Sequence, residues 1–253
     1  MSHPRDRFVT IYGRKPVLEA LDQHDLEIDK VLLAHNAQGG VVADIERAAR
    51  ARGVPLHRVA PREVTRLSRN ERQDQGAVAD VRVARMAAVE DALDTVPPGA
   101  AAAALLLDGI TTPGNVGLIL RVATAAGLDG VVLPRAGCPE VGPLVIKASA
   151  GVALRAPIWR AANAAEGAAA LAAAGFELCG LAADGPDDLF TMKLPHRVAF
   201  VLGNESAGVS PAVAETVTRW VRIPMARGVE SLNVAMAAAV VAFEIARRRG
   251  VGR

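Results

Sequence analysis

Aromatic side chains make up only 3% of this chain: two Trp, one Tyr and five Phe among 253 residues. So few rings cannot build an aromatic core, and close packing of small aliphatic residues must replace it. Cysteine is nearly absent. Cys138 and Cys179 stand far apart and form no C-x-x-C pair. That spacing argues against a disulfide framework and against a zinc site, and it fits a reducing cytoplasm. Long apolar runs are missing too. The longest, Val234 to Phe243, is far below the roughly 20 residues that a bilayer span needs. The opening "MSHPRDRF" has no apolar signal core. No membrane partner is expected, and the expected location is cytoplasmic. Nor does one sign of charge dominate, because 29 basic residues face 27 acidic ones. A net charge of +2 neither selects nor rejects nucleic acid as a partner, although a local basic surface is compatible with it.

What is abundant is alanine and valine, within a hydrophobic content of 51%. Arginine greatly outnumbers lysine, which reads as GC-rich coding bias. The chain is long enough to bury a sizeable core. Its first third alternates short helices and strands. "GRKPVLEALDQ" is helical with Pro16 in its first turn, "IDKVLLAH" extended, and "GVVADIERAARARG" a helix closed by Gly53. "PLHRVA" reads as a strand, "PREVTRLSR" as a helix, and "QGAVADVRV" alternates as a half-exposed strand does. Pro97, Pro98 and Gly99 then interrupt regular structure. The expected organisation is a small α/β domain over residues 1–95 and a second domain over 96–253.

From Ala103 onward the strands are apolar throughout: "AALLLDG", "GVVLP", "FELCGLAA", "VAFVLGNE" and "WVRIP", with helical stretches between. That pattern predicts an α/β domain with a parallel sheet covered on both faces. Ligands of such sheets bind at the carboxyl ends of the strands. Three strand ends here carry polar loops: "DGITTPGNVG", "LGNESAGVS" and "IPMARGVESLN".

Several common chemistries fail on particular residues. Gly203 and Gly208 have phosphate-loop spacing, but Val209 stands where lysine is required. No G-x-G-x-x-G follows the first strand, and no G-x-S-x-G elbow exists. His196 reads as a surface turn. The tail "ARRRG" reads as a helix end whose cations suit the dipole, with RNA contact the lesser alternative. Asn115 reads as the cap of a helix beginning at Val116, with Arg121 held among apolar neighbours in its first two turns. Glu205 could merely serve the start of a helix, and Ser231 or Asn233 could merely cap the last one. All three loops lie at strand carboxyl ends, which favours a shared site over three separate caps.

The three loops together resemble the motifs of the SpoU/TrmH branch of the SPOUT superfamily. Asn115, Gly117 and Arg121 match its Asn-x-Gly…Arg motif. Leu202, Gly203, Glu205 and Gly208 match Leu-Gly-x-Glu-x-x-Gly. Ile223, Pro224 and Met225, followed by Ser231, Leu232, Asn233 and Val234, match the third. "KASAGVALRAPI" is similar to a further stretch through Ser149, Gly151 and Pro157, and Ala235 stands where serine is common. "IYGRKPVLEAL" resembles the extra N-terminal domain of ribosomal-RNA-modifying members, related to small RNA-binding ribosomal proteins.

The resemblance implies a deep trefoil knot near "ESLN" and methyl transfer from S-adenosylmethionine to a ribose 2′-hydroxyl of RNA. It favours a guanosine of large-subunit ribosomal RNA over tRNA, and a homodimer. Arg121, Asn115, Glu205, Ser231 and Asn233 are the implied catalytic group. Arginine stays protonated, so the role expected for Arg121 is electrostatic, at phosphate and developing alkoxide. Leu202, Gly203, Asn204, Gly208, Ile223, Pro224, Met225, Ser231, Leu232 and Asn233 are the implied cofactor residues. No metal is implied. The alternatives are a tRNA 2′-O-methyltransferase, an inactive RNA-binding homologue and an unrelated nucleotide-binding α/β enzyme.

Overall fold

A computed structural model describes residues 8–24, 26–83 and 85–250. The chain divides into two compact units, the second beginning at Arg85. The first unit runs β1 (Phe8–Tyr12), α1 (Arg14–Asp22), β2 (Glu27–Ala34), α2 (Gly40–Ala51), β3 (Leu56–Val59), α3 (Pro61–Ser68), α4 (Glu71–Asp74) and β4 (Ala77–Arg82). Its sheet has the order β1-β4-β2-β3. β4 is antiparallel to both of its neighbours, and β2 is parallel to β3. The expected half-exposed strand is thus the central β4, buried along most of its length. Helices α1 and α3 both pack against it.

The second unit continues with β5 (Met86–Ala88), α5 (Val89–Asp94), β6 (Ala102–Leu107), α6 (Pro113–Ala125), β7 (Gly130–Pro134), α7 (Pro143–Ala148) and β8 (Ile158–Ala161). It ends with α8 (Ala164–Ala173), β9 (Glu177–Leu181), β10 (Asp187–Asp188), β11 (Arg197–Leu202), α9 (Pro211–Ala214), β12 (Arg219–Arg222) and α10 (Val234–Arg249). Eight strands make one sheet in the order β10-β12-β9-β11-β6-β7-β8-β5. Every pairing in it is parallel. The boundary expected at residues 95/96 moves to Arg85 for a simple reason. β5 pairs with β8 and forms the edge of the sheet, placing Met86 opposite Ile158, and α5 follows at once. The Pro97-Pro98-Gly99 break is a loop inside the second unit.

Every residue of β6 and β7 is buried. Each fully buried Val or Leu contributes about 1.5–3 kcal/mol relative to exposure. The scarce aromatics are grouped: Trp159 meets Phe176 edge to face at 6.3 Å, and the Arg197 guanidinium lies 5.6 Å from the Phe176 ring centre. The order of strand succession reverses between β6 and β11, while all strands stay parallel. From β6 the strands progress through β7 to β8, whereas β9 and β12 lie on the far side of β11. α10 packs against α6, which brings the last helix over the helix that follows the first central strand.

Candidate active site

The carboxyl ends of β9, β11 and β12 open into a cleft of about 740 Å³, its mouth included. Leu181, Leu202, Val221, Ile223, Leu232 and Val234 give it apolar walls. Among the described residues, Glu205 and Glu230 are the only charged ones that line it. Each of the three polar loops is fixed by bonds that its own sequence supplies.

The loop after β11 folds back on itself. Asn204 and Gly208 exchange two backbone hydrogen bonds of 2.9 Å. Asn204 Oδ1 accepts from the amides of Ser206 and Ala207, while its Nδ2 donates to the Gly109 carbonyl at 2.9 Å. A Cβ on Gly203 would lie 2.3 Å from the Gly208 carbonyl carbon, so only glycine lets the hairpin close. The buried Asp108, just past β6, accepts from the Ser210 amide at 2.6 Å and anchors the far side of the same loop.

The loop after β6 enters α6 earlier than expected. Thr112 occupies the cap position and Pro113 the first turn, so the helix starts before Val116. Asn115 therefore lies inside the first turn, where its side chain projects sideways instead of capping. Gly117 permits a close approach on the same helix, since a Cβ there would lie 2.5 Å from the Val145 carbonyl. The loop after β12 ends at Asn233, whose Oδ1 accepts from the amides of Ala235 and Met236 and caps α10.

Side-chain bonds then join the three loops. Asn115 Nδ2 donates to Glu205 Oε1 at 2.5 Å, and Asn233 Nδ2 donates to Asn115 Oδ1 at 3.2 Å. Residues 90 and 118 positions apart in sequence thus form one chain, Asn233–Asn115–Glu205. Glu205 ends that chain on the lining of the cleft.

Arg121 is not part of it. Six residues along a helix rotate a side chain by about 240° from Asn115 and advance it about 9 Å. Arg121 is exposed, and among the described residues no hydrogen bond or ion pair engages it. The apolar neighbours expected to hold it turn inward: Ile119 and Leu120 are fully buried. Of the expected cofactor residues, Leu202, Gly203, Asn204, Gly208, Ile223, Met225, Ser231 and Leu232 line the cleft, whereas Pro224 and Asn233 do not. Leu181, Ala182, Ala183 and Ala237 also line it and carry no polar sequence signal. Ser149 is buried in a structural role, donating to the Ile146 carbonyl and accepting from the Ala153 amide.

The basic tail is fastened. Arg248 donates to the carbonyls of Met192 and Leu189, and Arg249 to Asp129 at 3.2 Å. Arg247 and Arg248 both grip the buried Glu244. Their bonds hold its carboxyl down at about 2, well below the ordinary 4.5, against the opposing effect of burial.

Residues 102–243 match the SpoU rRNA Methylase family, and residues 10–87 match the RNA 2′-O ribose methyltransferase substrate binding family. The chain belongs to the SpoU family. It is an S-adenosylmethionine-dependent RNA 2′-O-ribose methyltransferase. Among its SpoU relatives is the 23S rRNA (guanosine-2′-O-)-methyltransferase RlmB of Xanthomonas axonopodis pv. citri, 34% identical over 94% of this chain and 96% of the relative. The RlmB of Xylella fastidiosa strain 9a5c is 32% identical over the same shares. The crystal structure of the SpoU methyltransferase AviRb from Streptomyces viridochromogenes in complex with AdoMet has a TM-score of 0.67. It is 26% identical and covers 97% of this chain and 92% of AviRb. The residues of the cleft fit this cofactor: its apolar walls would suit an adenosine, its loop backbone a polar base edge, and its two carboxylates a sulfonium cation. Among the described residues no group of three or more His, Cys, Asp or Glu is placed to hold a metal.

Proposed function

We propose that this chain methylates the ribose 2′-hydroxyl of a guanosine in large-subunit ribosomal RNA. The observation that carries the reading is the Asn233–Asn115–Glu205 chain at the edge of the cleft. It joins three loops that have no structural need to meet unless they serve one site. The choice of RNA rests on the RlmB relatives, which act on guanosine of 23S ribosomal RNA.

Leu202, Gly203, Asn204, Gly208, Ile223, Pro224, Met225, Ser231, Leu232 and Asn233 hold the cofactor in this reading. When bound, S-adenosylmethionine supplies an electrophilic methyl group, which the ribose oxygen takes as the carbon–sulfur bond breaks and its electron pair stays on sulfur. The protein's part is alignment and charge. Asn115 keeps Glu205 in a fixed orientation at the cleft, and Asn233 fixes Asn115. Ser231 offers a hydroxyl on the lining of the cleft. Arg121 is exposed and its side chain is unengaged among the described residues, which leaves its guanidinium available to an RNA phosphate and to the alkoxide that develops as the 2′-hydroxyl passes its proton to an RNA phosphate oxygen.

The same reading assigns RNA capture to the N-terminal unit and cofactor binding to the second, and places the family's trefoil knot around "ESLN". It also makes the protein a homodimer. Met236 and Phe243 are seven positions apart on α10 and remain 55% and 51% exposed, an apolar face that a twofold mate would cover. Light scattering checks the dimer, and a fully active monomer contradicts it. Mapping 2′-O-methyl groups in ribosomal RNA from a deletion strain tests the main assignment. Loss of one guanosine methylation, restored by the purified protein, is the expected result. An unchanged ribosomal RNA map overturns it.

A further inference from the structure

The cations of the N-terminal unit fall into two groups. Arg14 and Arg52 donate to backbone carbonyls and staple loops. Arg47, Arg58 and Arg82 pair with Asp44, Glu46 and Glu27, and Lys30 pairs with Asp80. The other group is concentrated in one short segment. Arg62, Arg66, Arg69 and Arg72 are all exposed, and among the described residues none of their guanidiniums makes a hydrogen bond or ion pair. Among the described residues of the unit, only the side chains of Lys15 and Arg50 share that state elsewhere.

The segment is α3, the turn after it, and α4. Val64 and Ser68 face inward from α3. Arg62 and Arg66 flank Val64 at two residues on either side, about 200° of helix rotation each way, so both project to the opposite face. The turn is held from below by one buried carboxylate. Asp74 Oδ2 accepts from Ser68 Oγ at 2.8 Å and from Thr65 Oγ1 at 3.3 Å, and its Oδ1 accepts from the Gly76 amide at 2.9 Å. Ser68 Oγ in turn accepts from the Asn70 amide. Arg69 and Gln75, which bracket α4, both adopt the left-handed region with φ of 52° and 51°. Non-glycine residues persist there only where the surroundings over-determine the backbone. The chain's single tyrosine adjoins the turn, with Tyr12 Oη accepting from Asn70 Nδ2 at 3.4 Å.

We propose that this Asp74-braced corner, presenting Arg62, Arg66, Arg69 and Arg72, is the surface on which the N-terminal unit docks the phosphate backbone of substrate RNA. The inference rests on the methyltransferase reading above and names the part of the chain that captures its RNA. Unpaired guanidiniums on a rigid frame are the chemistry that phosphates require, since each can displace condensed counterions without first breaking an ion pair. Rigidity matters because the turn is ordered before binding, so no ordering cost is subtracted from affinity. Glu63 and Glu71 share the segment, so attraction is confined to the arginine-bearing face and is not a general basic charge.

The test uses the full-length protein and deproteinised large-subunit ribosomal RNA in filter binding over a salt series. The triple variant Arg66→Gln, Arg69→Gln, Arg72→Gln should lower the slope of log affinity against log salt by about 2–3 and weaken binding on the order of a hundredfold at 0.15 M salt. The single variants Arg66→Gln and Arg72→Gln should each weaken it about fivefold, and they keep the test sound if the triple variant folds poorly. Lys15→Gln with Arg50→Gln is the control and should change the affinity less than twofold. Unchanged slope and affinity in the triple and single variants, or an equal loss in the control, overturns the proposal. Calorimetry with S-adenosylmethionine separates the two readings: cofactor binding by the triple variant should match wild type. If wild-type protein fails to methylate while the arginine dependence of RNA binding holds, the methyltransferase reading falls and the docking surface stands.

Discussion

Replacing Asn115 with alanine removes both side-chain bonds that join the three loops. The bond to Glu205 has a charged acceptor, and such bonds contribute about 1.5–3 kcal/mol where water is excluded. The neutral bond from Asn233 is worth about 1 kcal/mol at most. Glu205 and Asn233 are exposed and Asn115 is half-buried, so the low end of each range applies and the pair sums to about 2 kcal/mol. If all of that serves positioning, single-turnover methyl transfer falls about 30-fold. Global stability should fall by no more than about 1.5 kcal/mol, because alanine is the better helix former by about 0.5 kcal/mol at this position in α6 and offsets part of the loss. A double-mutant cycle with Asn233→Ala sharpens the test, since Asn233 reaches Glu205 only through Asn115. The two losses should be non-additive by at least ~0.5 kcal/mol. Strict additivity, or a rate within threefold of wild type at saturating cofactor, would falsify the claim that this chain of amides positions the site.

Arg121→Ala should leave the fold and cofactor affinity intact and lower single-turnover methylation about a hundredfold, with Arg121→Lys only partly restoring it because a point charge lacks the planar fork. Equal rates for all three proteins would remove Arg121 from the chemistry. Gly203→Ala forces a methyl against the Gly208 backbone, so calorimetry should find cofactor affinity reduced at least tenfold, on the order of 1.4 kcal/mol. Glu244 has a folded pKa near 2 against an ordinary 4.5, so its bonds to Arg247 and Arg248 support the fold fully above pH 4.5 and are lost as pH falls toward 2. Glu244→Gln should flatten that part of a thermal-stability profile against pH; an unchanged acid limb would show that the cluster is not the source.

The fold was legible where pattern and burial agree. The continuous apolar runs of β6, β7 and β11 announce strands buried on both faces, and those strands are the centre of the sheet. β5, β8 and β10 were not foreseen, because strands of 3, 4 and 2 residues lack a run long enough to read. The domain boundary was misplaced for the same cause: the proline pair is conspicuous, whereas three residues of β5 decide where the second unit starts. In the site, polar loops at strand ends gave away Asn115, Glu205 and Asn233, but not that Asn115 bridges the other two. Its cap-like sequence context hides a position one turn inside the helix. Leu181, Ala182 and Ala183 were invisible, since a cleft wall made of ordinary aliphatics looks like core.

Asn233 uses its whole amide at once, with Oδ1 on the first turn of α10 and Nδ2 on Asn115. The start of α10 and the assembly of the site are therefore a single event. Because Asn233 follows Asn115 and Glu205 in sequence, a growing polypeptide that has not yet reached it holds both residues without the cap that locks them. On the function proposed above, a product that ends before Asn233 should occupy RNA without modifying it.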